Sequence, residues 1–125
     1  MKRIIRTPNA PAALGPYSQA VEINGTLYVS GQIAIDPATG KMVEGDITVQ
    51  TRQVLRNIEA ILKAAGYSFE EVIKSTCYLN DIADFKAMNE AYSQYYFENH
   101  PARAAFAVKE LPLGALIEIE TVAAK

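Results

Sequence analysis

Two side chains in this sequence stand out for the chemistry they could do together: an arginine among small apolar residues and a glutamate on an alternating strand. Arg103 lies in Pro101-Ala102-Arg103-Ala104-Ala105-Phe106-Ala107-Val108, and Glu118 in Leu116-Ile117-Glu118-Ile119-Glu120-Thr121-Val122. A guanidinium keeps its charge under all ordinary conditions, so it must hold an anion or stay at the water boundary. If the anion is a ligand carboxylate, Arg103 is a bidentate clamp; if it is a protein carboxylate, Arg103 belongs to a structural ion pair. Glu118 could act as a general acid–base or direct a water. The commoner uses of a strand glutamate are as an ion-pair partner, here for Arg103, or as a solvated carboxylate.

Two further clusters carry candidate groups: Gly15-Pro16-Tyr17-Ser18-Gln19-Ala20 and Val29-Ser30-Gly31-Gln32-Ile33. Gly31 inside a strand marks either a bulge, with close approach of a ligand to the backbone, or a simple kink. Tyr17 is either an aromatic wall with a phenolic donor or an ordinary strand tyrosine. His100 precedes a proline at a helix exit and reads as a cap or surface residue. Cys77 falls in a predicted buried strand, where a free cysteine behaves as a small hydrophobe. Neither is assigned to the site. Tyr92 to Phe97 read as core or interface aromatics.

The elements that must position these residues follow from periodicity. Tyr17 to Ile23 and Thr26 to Ile33 read as strands joined at Asn24-Gly25, after a short opening strand at Arg3 to Thr7. Asp36-Pro37-Ala38-Thr39-Gly40 is a turn. Ile47, Val54, Leu55, Ile58, Ile61, Leu62 and Ala65 then form one apolar helix face, with Asp46 as N-cap and Gly66 as stop. Ser68-Phe69-Glu70-Glu71 fits a capping box ahead of a strand over Val72 to Leu79. A second helix is predicted from about Ile82 to Phe97, and two final strands over Arg103 to Val108 and Ala115 to Ala123. The pattern βββαβαββ implies an α+β fold, a sheet with two helices packed on one face. The last strand nevertheless carries apolar residues on both sides, so the face away from the helices is expected to be covered by other copies of the chain.

Composition excludes several function classes. The 125 residues imply one domain, spanning 1–125. A formal net charge of −2 and a pI of about 5.4 give no positive field for a phosphate backbone. No apolar run approaches the ~20 residues of a membrane span, and the basic start Met1-Lys2-Arg3 has no apolar stretch behind it, so neither a membrane nor a secretory signal is expected. One cysteine and one histidine leave no disulfide and no multi-histidine zinc set within the chain. A cytoplasmic location is the default expectation.

Taken together, Ala10-Pro11-Ala12-Ala13-Leu14-Gly15-Pro16-Tyr17-Ser18-Gln19, Ser30-Gly31-Gln32-Ile33, and Pro101-Ala102-Arg103 through Leu111-Pro112 to Ile117-Glu118-Ile119-Glu120 resemble the RidA (YjgF) family of reactive-intermediate deaminases, in order and nearly end to end. The resemblance implies a chorismate-mutase-like fold and a homotrimer with a site in each intersubunit cleft. It implies hydrolytic deamination of enamine/imine intermediates, 2-aminoacrylate and 2-iminobutyrate, to 2-oxo acids and ammonia, with no metal or organic cofactor. By the same resemblance, Arg103 holds the substrate carboxylate and Glu118 orients the reacting water. Tyr17, Ser30 and Gly31 border the substrate, and Asn89 lies near the same cleft. Many members follow the arginine with serine and then cysteine; here Ala104 and Ala105 stand there, leaving the Ala105 backbone N–H to meet a ligand oxygen.

Two rival functions remain. Some proteins resembling this chain have been described as ribonucleases or translation inhibitors, which the acidic pI, single histidine and absence of a basic stripe disfavour. A non-catalytic carboxylate-binding or regulatory module would use the same Arg103 clamp while Glu118 does no chemistry.

Overall fold

A computed structural model describes residues 1–125. Asn24 and Gly25 take left-handed φ values of 50° and 76°, as a two-residue hairpin turn demands, and join β2 (Ala20–Ile23) to β3 (Thr26–Gln32). β1 (Arg3–Ile5) pairs antiparallel with β2. The Asp36–Gly40 turn closes a separate small hairpin of β4 (Ile35–Asp36) and β5 (Lys41–Met42) that hydrophobic alternation alone did not reveal. α1 (Ile47–Ala65) begins where Val49 N donates to the Asp46 carboxylate at 3.1 Å, a cap worth about 1 kcal/mol, and ends at Gly66 with φ 84°. Its stripe of Val54, Leu55, Ile58, Ile61 and Leu62 is fully buried. The Ser68–Glu71 capping box opens one 3-10 turn before β6 (Val72–Leu79).

The second helix is shorter than its aromatic pattern predicts. Ile82–Asp84 form a 3-10 turn capped by Asp81, and α2 covers only Phe85–Tyr92. Beyond Tyr92 the regular ladder gives way to turns of mixed spacing: Gln94 N donates to Ala91 O, and both Tyr95 N and Tyr96 N to Tyr92 O, while Ser93 Oγ donates to Glu90 O. Tyr96 packs edge-on against Phe69 at 5.1 Å, so Tyr95 and Tyr96 belong to the core and its margin, as expected, without being helical. Phe97 is the exception and is exposed. β7 (Ala102–Ala107) and β8 (Ile117–Ala124) follow.

The main sheet has the order β1-β2-β3-β8-β6-β7, antiparallel throughout except for the parallel β6–β7 pair, whose crossover runs through α2. α1 packs on β3 and β8, and α2 on α1, so both helices cover one face. Ile117, Ile119, Thr121 and Ala123 of β8 are buried beneath them. The other face is open. Ile4, Val21, Tyr28 and Val122 lie in one row across four strands, and Ile4, Tyr28 and Phe106 are 46, 52 and 46% exposed. A contiguous exposed apolar row of this kind differs from the scattered single hydrophobics of an ordinary solvated face. No helix is long and apolar enough to cross a membrane.

Candidate active site

The open face forms one half of the candidate site. The β3–β8 register slips between Val29 and Gln32, so a bulge carries Ser30 and Gly31. Ser30 is tied to the preceding loop: its N–H donates to Gln19 O at 2.9 Å and its Oγ to Ser18 O at 2.6 Å. β2 begins only at Ala20, not at Tyr17 as alternation suggests, so Tyr17 belongs to a loop and the alternative of a strand tyrosine is ruled out. Gln19, buried, accepts from Thr7 N at 2.7 Å and donates to Pro11 O at 2.8 Å, fixing the loop that presents Tyr17. Tyr17 stands half exposed, its hydroxyl accepting from Leu14 N at 3.3 Å. Tyr17, Ser30, Gly31, Leu113, Glu118 and Glu120 all line one cleft of about 610 Å³.

Within this cleft Gly31 and Glu118 are fitted to one another. A Cβ at Gly31 would strike the Glu118 carboxylate, 2.9 Å from Cδ and 3.2 Å from Cγ. Gly31 is not among the positive-φ glycines, so it is the approach of Glu118, not the backbone conformation, that requires a missing side chain. Both readings of Gly31 thus meet in one place: there is a bulge, and the close neighbour is a carboxylate. Partial burial raises the Glu118 pKa above the ordinary carboxylate range, with a smaller push from the charge of Glu120. Glu120 in turn accepts a short hydrogen bond from the Tyr78 hydroxyl.

Arg103 lies elsewhere. It sits on edge strand β7 with its guanidinium over the rings of Tyr92, at 5.0 Å, and Phe85, at 5.6 Å. Stacking of this kind holds the planar group in place while leaving its donors free. A pocket of about 320 Å³ joins Arg103 to Asn89, Tyr92, Tyr96 and His100. The Asn89 Oδ1 and the Tyr92 hydroxyl are buried there without a hydrogen-bond partner. Ala105 stands two residues along the same face, in register with Cys77. His100, set aside as a surface residue, lines this pocket while remaining exposed. Cys77 is fully buried, and burial pushes its thiol up to about 11, so it behaves as the expected small hydrophobe.

The two halves face opposite ways. Glu118 pairs with Tyr78 on β6, whereas Arg103 pairs with Ser75 on the same strand. Residues three apart on a strand point to opposite faces, and Ser75 is buried toward the helices. Within one chain Arg103 therefore cannot pair with Glu118, which rules out the structural ion pair considered for them. The ion pair the chain does contain is Arg3–Glu22 at 3.0 Å, remote from both. Tyr17, Ser30, Gly31 and Glu118 are gathered on one face; Asn89, Arg103 and Ala105 on the other. Tyr78 and Leu113 were not singled out from sequence. Alternation already put Glu120 on the Glu118 side, but only strand register could place Tyr78 beside them.

Comparison with known proteins agrees with this architecture. The family model described as Endoribonuclease L-PSP matches residues 7–125. A RutC family protein from Pyrococcus horikoshii is 57% identical over 125 residues, covering 100% of this chain and 99% of its own. The human 2-iminobutanoate/2-iminopropanoate deaminase is 51% identical over 123 residues, covering 98% of this chain and 90% of its own. Among solved structures, a protein of the conserved Rid family from Yersinia pestis superposes with a TM-score of 0.95 at 48% identity, covering 100% of both chains. RidA from an Antarctic Psychrobacter gives 0.95 at 44%, covering 98% of this chain and 99% of its own. With a family model spanning nearly all of its length and relatives above 50% identity, the chain belongs to the Endoribonuclease L-PSP family, the YjgF/RidA family.

Proposed function

We propose that this protein hydrolyses small 2-imino acids, 2-iminobutyrate and the imine form of 2-aminoacrylate, to 2-oxo acids and ammonia. The observation that carries the reading is the separation of Arg103 from Glu118. Each lacks an ion-pair partner in its own chain, each lines a cleft, and the two clefts lie on opposite faces of one sheet. A site using both needs a second copy, and the uncovered apolar row supplies a surface for it. In this reading each chain is one domain, and three copies close their open faces into a chorismate-mutase-like trimer. The Arg103 half of one copy then completes the Glu118 half of the next. The deaminase name of the 51% identical human relative supports the reaction class.

Arg103, held flat by Tyr92 and Phe85, takes the substrate carboxylate through two parallel N–H donors. Asn89 Oδ1, unpartnered at its side, is free for the substrate's polar end. Glu118 accepts a proton from water as the water oxygen adds to the imine carbon, and passes it to nitrogen to give a carbinolamine; the hydroxyl proton then follows to nitrogen by way of Glu118 as the C=O bond forms, the C–N bond breaks and ammonia leaves. Proton transfer of this sort contributes about 10²–10⁴-fold. The raised proton affinity of Glu118 suits a group that must both take and return a proton. The chain's own residues suffice for these steps, in the cytoplasm where such imines are released.

A second reading is a carboxylate-binding module without turnover, and one observation favours it: the structurally similar E. coli TdcF was crystallised with bound serine. A serine or threonine dehydratase coupled to this protein separates the two. Deamination predicts faster appearance of the 2-oxo acid, lost in Glu118→Gln with 2-oxobutyrate binding retained, and loss of both in Arg103→Ala. A Glu118→Gln variant with undiminished turnover would leave only the binding module.

A further inference from the structure

Glu118 does not stand alone on the open face. Alternation places Glu120 two residues along the same strand and on the same side, and both carboxylates line the same cleft. Tyr78 is the cross-strand neighbour of Glu118 on β6, yet its hydroxyl reaches diagonally to Oε1 of Glu120. Its ring is held edge-on against Phe106, centroids 5.5 Å apart at 86°, so the hydroxyl is aimed by packing.

From this geometry we infer that Tyr78 and Glu120 are positioning residues for Glu118: the phenol holds the Glu120 carboxylate in place beside Glu118, so that the base works against a fixed neighbouring carboxylate. The inference deepens the deaminase reading and rests on Glu118 being the base. Glu118 is partly buried, and burial together with the charge of Glu120 raises its proton affinity. The Tyr78 hydroxyl, aimed by its packing on Phe106, fixes where that neighbouring carboxylate lies.

The other groups around Glu118 do not supply this charge. Ser30 and Gly31 of β3 and Pro112 and Leu113 of the loop before β8 carry no charge. Tyr17 closes the cleft from its own loop. Lys74 of β6 shares the open face two rows away from Glu118, level with Val122, and makes no ion pair. In the assembled protein, Arg103 of the adjoining copy faces the substrate carboxylate.

Three conservative variants of the assembled protein test this, with kcat/KM for imine hydrolysis measured across pH. Glu120→Gln keeps an acceptor for Tyr78 but removes the charge. The acid limb should move to lower pH, and kcat should fall ~2- to 10-fold because Glu118 is then a weaker base, with 2-oxobutyrate affinity unchanged. Tyr78→Phe keeps the ring against Phe106 and should move the limb in the same direction by less, because the Glu120 carboxylate is then free to swing away from Glu118. A merely structural role would lower the melting temperature of either variant and leave the limb where it is. Glu118→Gln is the control. If it abolishes turnover while the limb is unmoved in both other variants, the positioning role is overturned and the deaminase reading stands. If Glu118→Gln retains turnover, both fall together.

Discussion

Replacing Gly31 by alanine adds one methyl group at a position whose backbone would accept any residue. The new Cβ would lie 2.9 Å from Cδ of Glu118, where ordinary contact begins near 3.4 Å, so Cδ must retreat by about 0.5 Å and the nearer carboxylate oxygen by more. The atoms in the way are the end of a glutamate, not backbone, so the side chain can swing aside at a rotamer cost of about 0.5–1.5 kcal/mol. The fold should survive. Catalysis should not, because displacement of a catalytic group by the order of 1 Å costs about 10²-fold. The expected result in the dehydratase-coupled assay is a folded, normally assembled Gly31→Ala protein that binds 2-oxobutyrate and is slowed about 10²-fold. Pairing it with Glu118→Ala removes the obstruction, so the double variant should be more stable than the two single effects summed. Full turnover by folded Gly31→Ala would refute the claim that the Glu118 carboxylate works from the place the glycine leaves for it.

Cys77→Ala should lower the melting temperature, through a small cavity costing about 1 kcal/mol, and leave turnover per folded molecule unchanged; calorimetry with the same assay checks both. Glu118→Gln should stabilise the protein at neutral pH. The native state binds the Glu118 proton more tightly than the unfolded chain does, so its charge opposes folding above the native pKa. That opposition fades as pH falls below the unfolded value of about 4.3. Melting curves of the two proteins should therefore be separated at pH 7 and converge in acid.

The local punctuation of the fold was legible where single residues decide it. Asp46, Gly66, Asn24-Gly25 and the Ser68–Glu71 box sit where capping and turn chemistry put them. The two-sided apolar character of β8 likewise announced an uncovered face. The end of α2 was not legible: Tyr95 and Tyr96 continue a helical spacing, but their packing on Phe69 is served by irregular turns after Tyr92. The β4–β5 hairpin was missed because two-residue strands carry no periodicity. Arg103 and Glu118 could be named from sequence, but not their opposite faces, which follow from β6 lying between β7 and β8. The role of Gly31 required the register of β3 on β8. Long-range pairing decides all three, and no local propensity encodes it.

The central claim, that each site takes Arg103 from one copy and Glu118 from another, is tested by mixing two inactive chains. Arg103→Ala supplies an intact Glu118 half and Glu118→Gln an intact Arg103 half. In a cyclic trimer, every mixed assembly holds one cleft in which both wild-type residues meet. Random assembly of equal amounts makes three-quarters of the trimers mixed, so about a quarter of wild-type activity should return. Subunit exchange is verified by mass spectrometry of the assembled protein. Recovery near that level is the predicted result; mixed assemblies as inactive as their parents would contradict a shared site.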